Sequence, residues 1–189
     1  MADVRQMDDL LYLLRCAVHR RKPDPARVQA MDLERLYQVS RFHSLAALTY
    51  TAVEAAWEGH PPADRLPAGW KEARDAAIRN ALLFTVERKA LEAFCEEKGI
   101  WYLPLKGILL QNDYPGLGLR EMSDNDILFD EAFQQQIHDW FVARGYHVEE
   151  YRQSNHDSYH KAPVLNFEMH TSLFVAAKYP EWSAYFEKP

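Results

Sequence analysis

Two carboxylates one residue apart, Asp124 and Asp126, stand in the stretch "REMSDNDILFD" directly ahead of the apolar triplet Ile127, Leu128 and Phe129. Alternate residues of a strand share a face, so the two acids are expected to point the same way, about 6.6 Å apart. Negative groups held that close repel and raise each other's pKa unless a cation lies between them. A divalent metal meets the need, and Mg²⁺ is commonly held by one or two carboxylates plus the phosphate oxygens of a substrate. In displacements at phosphorus, two such ions stabilise the attacking and the leaving oxygen. The competing reading is a turn, because Ser, Asp and Asn bond readily to their own backbone in loops. A calcium loop is excluded, since Leu128 and Phe129 fall where it needs a ligand and a glycine.

A metal site of this kind calls for a third acid on a neighbouring strand, and "NFEMHTSLF" offers Glu168. It alternates with Phe167 and Met169, so its carboxylate faces away from them. His170 shares the Glu168 face and either orients that acid, touches substrate or is purely structural. Upstream, Lys106 and Gly107 in "LPLKGILLQ" sit at a strand-to-helix junction. There a glycine admits a phosphate close to the backbone, and free helix N–H groups favour anions. Lys106 adds a positive charge or snorkels to solvent. Arg120 is a second phosphate contact by its fork of donors, or else pairs with Glu121 or Asp124. His156 and His160 suggest zinc only on a helix; on a strand, positions four apart lie about 13 Å from each other.

These residues must be positioned by the elements around them. Val4, Met7, Leu10, Leu11, Leu14 and Val18 recur at helical spacing, and the prolines of "RRKPDPAR" end that helix. Asp32 is placed to cap a second helix, predicted to run to about Trp57. A third is predicted from about Trp70 to Lys98, with Leu83, Val86, Ala90 and Phe94 on one face and Gly99 as its stop. After Gly99 the texture changes: "IWYLPL" and "DILF" read as strands, "KGILL" as a short helix, and Glu131 to Arg144 as a helix capped by Asp130. "GYHVEEYR", "DSYHKAP" and "VLNFEMHTSL" read as an antiparallel meander, followed by a last helical turn or two. The fold expected is α+β. The division expected is a helical segment over 1–98 and a core over 99–189.

Hydrophobic residues make up 48% and charged residues 26% of the 189, a globular balance. The net charge of −6, with a pI near 5.7, provides no positive field for a long polyanion, so extended nucleic acid is not an expected partner. Cys16 and Cys95 are read as reduced thiols and the chain as cytoplasmic. The N-terminal stretch does not resemble a secretory signal, and no segment has the roughly 20 apolar residues of a membrane span.

The order Leu-Lys-Gly, Tyr114, Arg120, "MSDNDILF" and later "EMH" resembles the uncharacterised nucleotidyltransferase family of the DNA polymerase β-like superfamily, over roughly residues 80 to 175. The resemblance implies a mixed sheet flanked by helices, with Asp124, Asp126 and Glu168 as ligands of Mg²⁺ or Mn²⁺. It places Glu168 where it helps activate an attacking hydroxyl, and the Lys106–Gly107 turn near the triphosphate of an NTP. The activity implied is transfer of a nucleoside monophosphate from an NTP to a hydroxyl of a small molecule or protein, releasing pyrophosphate. The chain departs from the wider superfamily in three places: Ile108 follows Gly107 where serine or glycine is usual, Asn125 separates the paired acids, and the third acid is glutamate. Family members are often longer, which makes a further C-terminal portion an expectation. Two other readings are a catalytically silent nucleotide-binding module of the same fold and a glycosyltransferase whose D-x-D pair holds a metal and a sugar nucleotide.

Overall fold

Helix α1 (Val4–Val18) buries Leu10, Leu13, Cys16 and Ala17, while Val4, Met7, Leu11 and Val18 face outward. The buried stripe is thus rotated by about one position from the one predicted. Residues 10, 11, 13 and 14 are all leucine, so spacing alone does not choose the face. This computed structural model describes residues 4–186. "RRKPDPAR", expected only as a break, also starts α2 (Pro25–Gln29): Asp24 accepts the Ala26 N–H, and Pro25 takes the first turn, where no N–H is needed. Asp32 caps α3 (Leu33–Phe42) by accepting the Arg35 N–H at 3.0 Å.

The helix predicted from Asp32 to Trp57 is two helices. Ser44 takes a left-handed φ of 54°, and the chain restarts as α4 (Ala46–Ala56). The Leu45 N–H closes the end of α3 on the Ser40 carbonyl at 2.8 Å, the kind of wrap that satisfies terminal carbonyls. Helix α5 (Trp70–Lys98) has the predicted bounds, and Gly99 stops it with φ 67°. Its second half buries Phe84, Arg88, Leu91 and Cys95, not the predicted face, and leaves Leu83 and Val86 exposed. The helix is apolar around much of its girth there, and Arg88 on its buried face donates to Asn125.

Five strands form one mixed sheet in the order β1-β2-β5-β4-β3: β1 (Tyr102–Pro104), β2 (Asn125–Phe129), β3 (His147–Glu150), β4 (His156–Lys161) and β5 (Leu165–His170). The last three make the predicted antiparallel meander, and β5 then lies parallel to β2. Short α6 (Gly107–Leu110) follows β1; α7 (Gln134–Ala143) follows β2, with Asp130 accepting the Ala132 N–H ahead of it; and α8 (Pro180–Phe186) follows β5. The fold is α+β, with a helical N-terminal part.

Contacts divide the chain into two compact units, residues 1–82 with 111–121 and residues 83–110 with 122–189. The first is centred on Trp70, fully buried, whose indole N–H donates to the Ala46 carbonyl and whose ring meets Tyr37 and Tyr50. The second is centred on Ile127, Phe129, Phe141, Tyr159, Phe167 and Met169. No helix of the described residues is long and apolar enough to cross a membrane. Cys16 and Cys95 are both free and buried, and burial pushes the Cys95 thiol up to about 11. At pH 8 Cys95 is therefore protonated as well as shielded. Mass spectrometry after iodoacetamide should find it unmodified in the native protein and alkylated in urea; native labelling would contradict this packing.

Candidate active site

The residue between β1 and α6 has an unusual backbone. Lys106 adopts φ 42°, a left-handed conformation for a residue with a side chain, and such strain persists only where the surroundings enforce it. Enforcement comes from β2, since the Leu105 N–H donates to the Asp126 carbonyl at 2.9 Å. Buried Gly107 then opens α6. The turn sends the Lys106 ammonium onto Asp126 Oδ1 at 3.0 Å, although two-thirds of the lysine side chain remains in solvent.

Strand register supplies the rest. The parallel pairing sets Asp126 beside Glu168 and Leu128 beside His170. On the opposite face Ile127, Phe129, Phe167 and Met169 enter the core, so alternation alone delivers the acids and the histidine to one surface. His170 Nε2 lies 2.9 Å from Asp126 Oδ1 and 3.7 Å from Glu168 Oε2. One ligand atom from each of Asp126, Glu168 and His170 falls within 4.8 Å of the others.

Burial raises the Asp126 carboxyl pKa, but hydrogen bonds and charge from Lys106 and His170 outweigh it, and the net pKa is below the ordinary value. Burial lowers the His170 pKa, and hydrogen bonding to Asp126 only partly offsets this. The two groups are coupled, and a neutral His170 lends Asp126 no charge. We take the imidazole as neutral at pH 7: an ionised carboxylate only accepts, so Nε2 carries the proton and donates to Oδ1. Lys106 is then the cation that keeps Asp126 ionised.

Behind the acids lies a feature the sequence reading missed. Asn125, fully buried, turns inward and accepts from Arg88 Nη1 at 3.2 Å, while Arg88 Nε sits 3.5 Å from Glu92. Burial lowers the Arg88 pKa, partly countered by Glu92. An asparagine between two acids is thus explained by a buried guanidinium on α5, and no local pattern announces a partner 37 residues away. The Asn125 amide nitrogen has no hydrogen-bond partner among the described residues.

The predicted residues divide into those brought together and those left apart. Lys106, Asp126, Glu168 and His170 converge. Asp124 precedes β2, half-buried, with its carboxylate accepting from Ser123 Oγ at 3.1 Å, and is not among the three clustered ligands. Arg120 is half-buried in the stretch 111–121, which packs with the first unit. Its neighbour Glu121 instead accepts the Ala47 N–H at 3.0 Å, placing a negative charge at the first turn of α4, where the helix dipole favours it. His156 and His160 sit on β4 near Glu150 and Glu149 respectively, and the His156 ring lies 5.2 Å from that of His170.

The cluster's donor set suits a divalent cation. Asp126 and Glu168 offer hard carboxylate oxygens of the kind Mg²⁺ and Mn²⁺ take. His170 already bonds Asp126 and fixes the carboxylate's orientation, as groups behind metal ligands do. Lys106 holds the positive charge that the acids require.

No curated protein and no solved structure matches the chain. The sequence profile of the uncharacterised nucleotidyltransferases matches residues 29–188, a span that takes in every residue of this cluster as well as most of the helical part before it. A match over that much of the chain shows that the protein belongs to the uncharacterised nucleotidyltransferase family.

Proposed function

We propose that the protein transfers a nucleoside monophosphate from an NTP to a hydroxyl group of a small molecule or protein, using Mg²⁺ or Mn²⁺ held by Asp126 and Glu168, with Asp124 as a further ligand. The observation that carries this reading is the pairing of Asp126 with Glu168 across parallel strands, with His170 and Lys106 both on the Asp126 carboxylate. Family membership supports nucleotidyl transfer in general. A bound divalent cation would withdraw charge from the α-phosphate and stabilise the transition state. Glu168, half-buried, accepts the proton of the acceptor hydroxyl as its oxygen bonds to the α-phosphorus; the bond to the β-phosphate breaks, and pyrophosphate leaves. Lys106, mostly in solvent, is free to swing from Asp126 onto the triphosphate. His170 holds the Asp126 carboxylate in place throughout.

One observation favours a second reading, the silent nucleotide-binding module: Lys106 already occupies the oxygen that a cation would take. The two are separated by incubating the protein with each α-³²P-labelled NTP, with Mg²⁺, Mn²⁺ or EDTA, and following label into protein and small-molecule acceptors in a cell extract. Metal-dependent transfer and release of pyrophosphate by the native chain, absent from Asp126→Asn, is the expected result. Binding of NTP without any transfer would replace the first reading by the second.

A further inference from the structure

A cavity of about 380 Å³ opens on the second unit, lined in part by Trp101, Leu128, Thr171, Ser172, Phe174 and Phe186. Leu128 follows Asp126 by two positions on β2, so it shares the acid-bearing face at about 6.6 Å along the strand. Thr171 directly follows His170. The cavity therefore adjoins the clustered acids without containing them, and none of its lining side chains is charged. Its walls suit a flat neutral ring. Phe174 packs against Phe186 at 5.5 Å between ring centroids, and Trp101 leaves more than half of its surface exposed.

The hydroxyls carry a directional preference. Ser172 Oγ donates to the Phe174 carbonyl at 3.0 Å, and Thr171 Oγ1 is directed at the Asn155 carbonyl at 3.4 Å. Both of these protons are engaged within the protein, so what Thr171 and Ser172 offer a ligand is lone pairs, which accept; Ser183 also lines the cavity. A ring edge bearing an amino group fits them; an edge bearing only carbonyl oxygens does not.

We infer that this cavity holds the nucleobase of the NTP, stacked on Trp101, and favours bases with an exocyclic amine. The inference rests on the nucleotidyltransferase reading above and adds where the base lies and which bases are preferred. A charged group would find no counter-charge there, which directs the triphosphate elsewhere. The distance from Asp126 to Leu128 is comparable with the reach of a nucleotide from α-phosphorus across the ribose to its base.

Isothermal titration of the native chain and of Trp101→Ala with ATP, CTP, UTP and inorganic tripolyphosphate, each with Mg²⁺, tests it. Trp101 is largely exposed, so its loss should spare the fold, and a circular dichroism melt verifies that. The native chain should bind ATP and CTP more tightly than UTP, and tripolyphosphate weaker than all three. Stacking on an aromatic side chain contributes about 1–3 kcal/mol per base, so Trp101→Ala should weaken ATP binding at least about fivefold and leave tripolyphosphate binding unchanged. Tripolyphosphate binding as tightly as ATP, or ATP binding unaffected by Trp101→Ala, overturns the inference while leaving the nucleotidyltransferase reading standing. UTP binding as tightly as ATP overturns the amine preference. If neither ATP nor tripolyphosphate binds, the inference falls together with the function on which it rests.

Discussion

Asp126→Asn should lower nucleotidyl transfer by about 10³-fold or more while shifting the melting temperature by only a few degrees. The asparagine keeps the shape of the side chain and an oxygen for Lys106 and His170 to donate to, but it removes the negative charge that the proposed metal requires. Losing metal-based stabilisation of the transition state amounts to several kcal/mol, and each 1.36 kcal/mol is a factor of ten in rate. The folded state loses less. The salt bridge from Lys106 becomes an ion–dipole hydrogen bond, the bond from His170 becomes an ordinary one, and Lys106 is mostly in solvent, so the cost is about 1 kcal/mol, or roughly 2–4 °C for a chain of this size. Single-turnover transfer rates and thermal melts on the same preparations check both halves. Activity within tenfold of native would remove Asp126 from the chemistry, and a collapsed melt would make it a structural residue.

Gly118→Ala should destabilise the protein by about 2–5 kcal/mol, although Gly118 belongs to the first unit and bears no functional group. Its φ is +78°, and an added Cβ would stand 2.6 Å from Ile78 Cα, 2.8 Å from Ile78 N and 2.9 Å from Ala77 C. All three are backbone atoms of α5, so no side chain can swing aside. A left-handed residue with a Cβ costs about 1–2 kcal/mol, and overpacking adds typically 1–3. Urea titration with an unchanged slope measures the shift; a change below about 1 kcal/mol would mean that the segment can move off the helix. Tyr114 and Leu119, on the same segment, pack into the first unit's core. Residues 111–121 thus belong to the first unit, although in sequence they lie between α6 and β2 of the second.

What the sequence made legible was local. Asp32 and Asp130 cap where their type and position say they should, and Gly99 stops α5. The meander and the mixed sheet followed from alternation, glycine placement and the family resemblance, and Glu168 and His170 share a face because the period of a strand is two. Less legible was anything set by a distant partner. Leu13 is fully buried while Leu11 is exposed, because four leucines in five positions leave the face to the neighbouring helices. Ser44 breaks a helix that periodicity ran through. The inward turn of Asn125 needs Arg88, and the carboxylate of Glu121 needs α4. Of the candidate site, the types of Lys106, Asp126 and Glu168 were readable, whereas the left-handed backbone that aims Lys106 was not.

The parallel pairing of β2 with β5 also governs which changes of length the chain can absorb. Asp126 and Glu168 lie side by side because one register joins their strands, whatever the length of chain between them. Adding a residue in the turn at 162–164 lengthens a loop and leaves that register alone. Deleting one inside β5 turns Met169 or Phe167 toward the solvent and drives Glu168 and His170 into the core. Insertions and deletions in this family should therefore collect in turns and spare β5 by frame as well as by residue type, so that the reading frame of a single strand is under stronger constraint than most of its individual side chains.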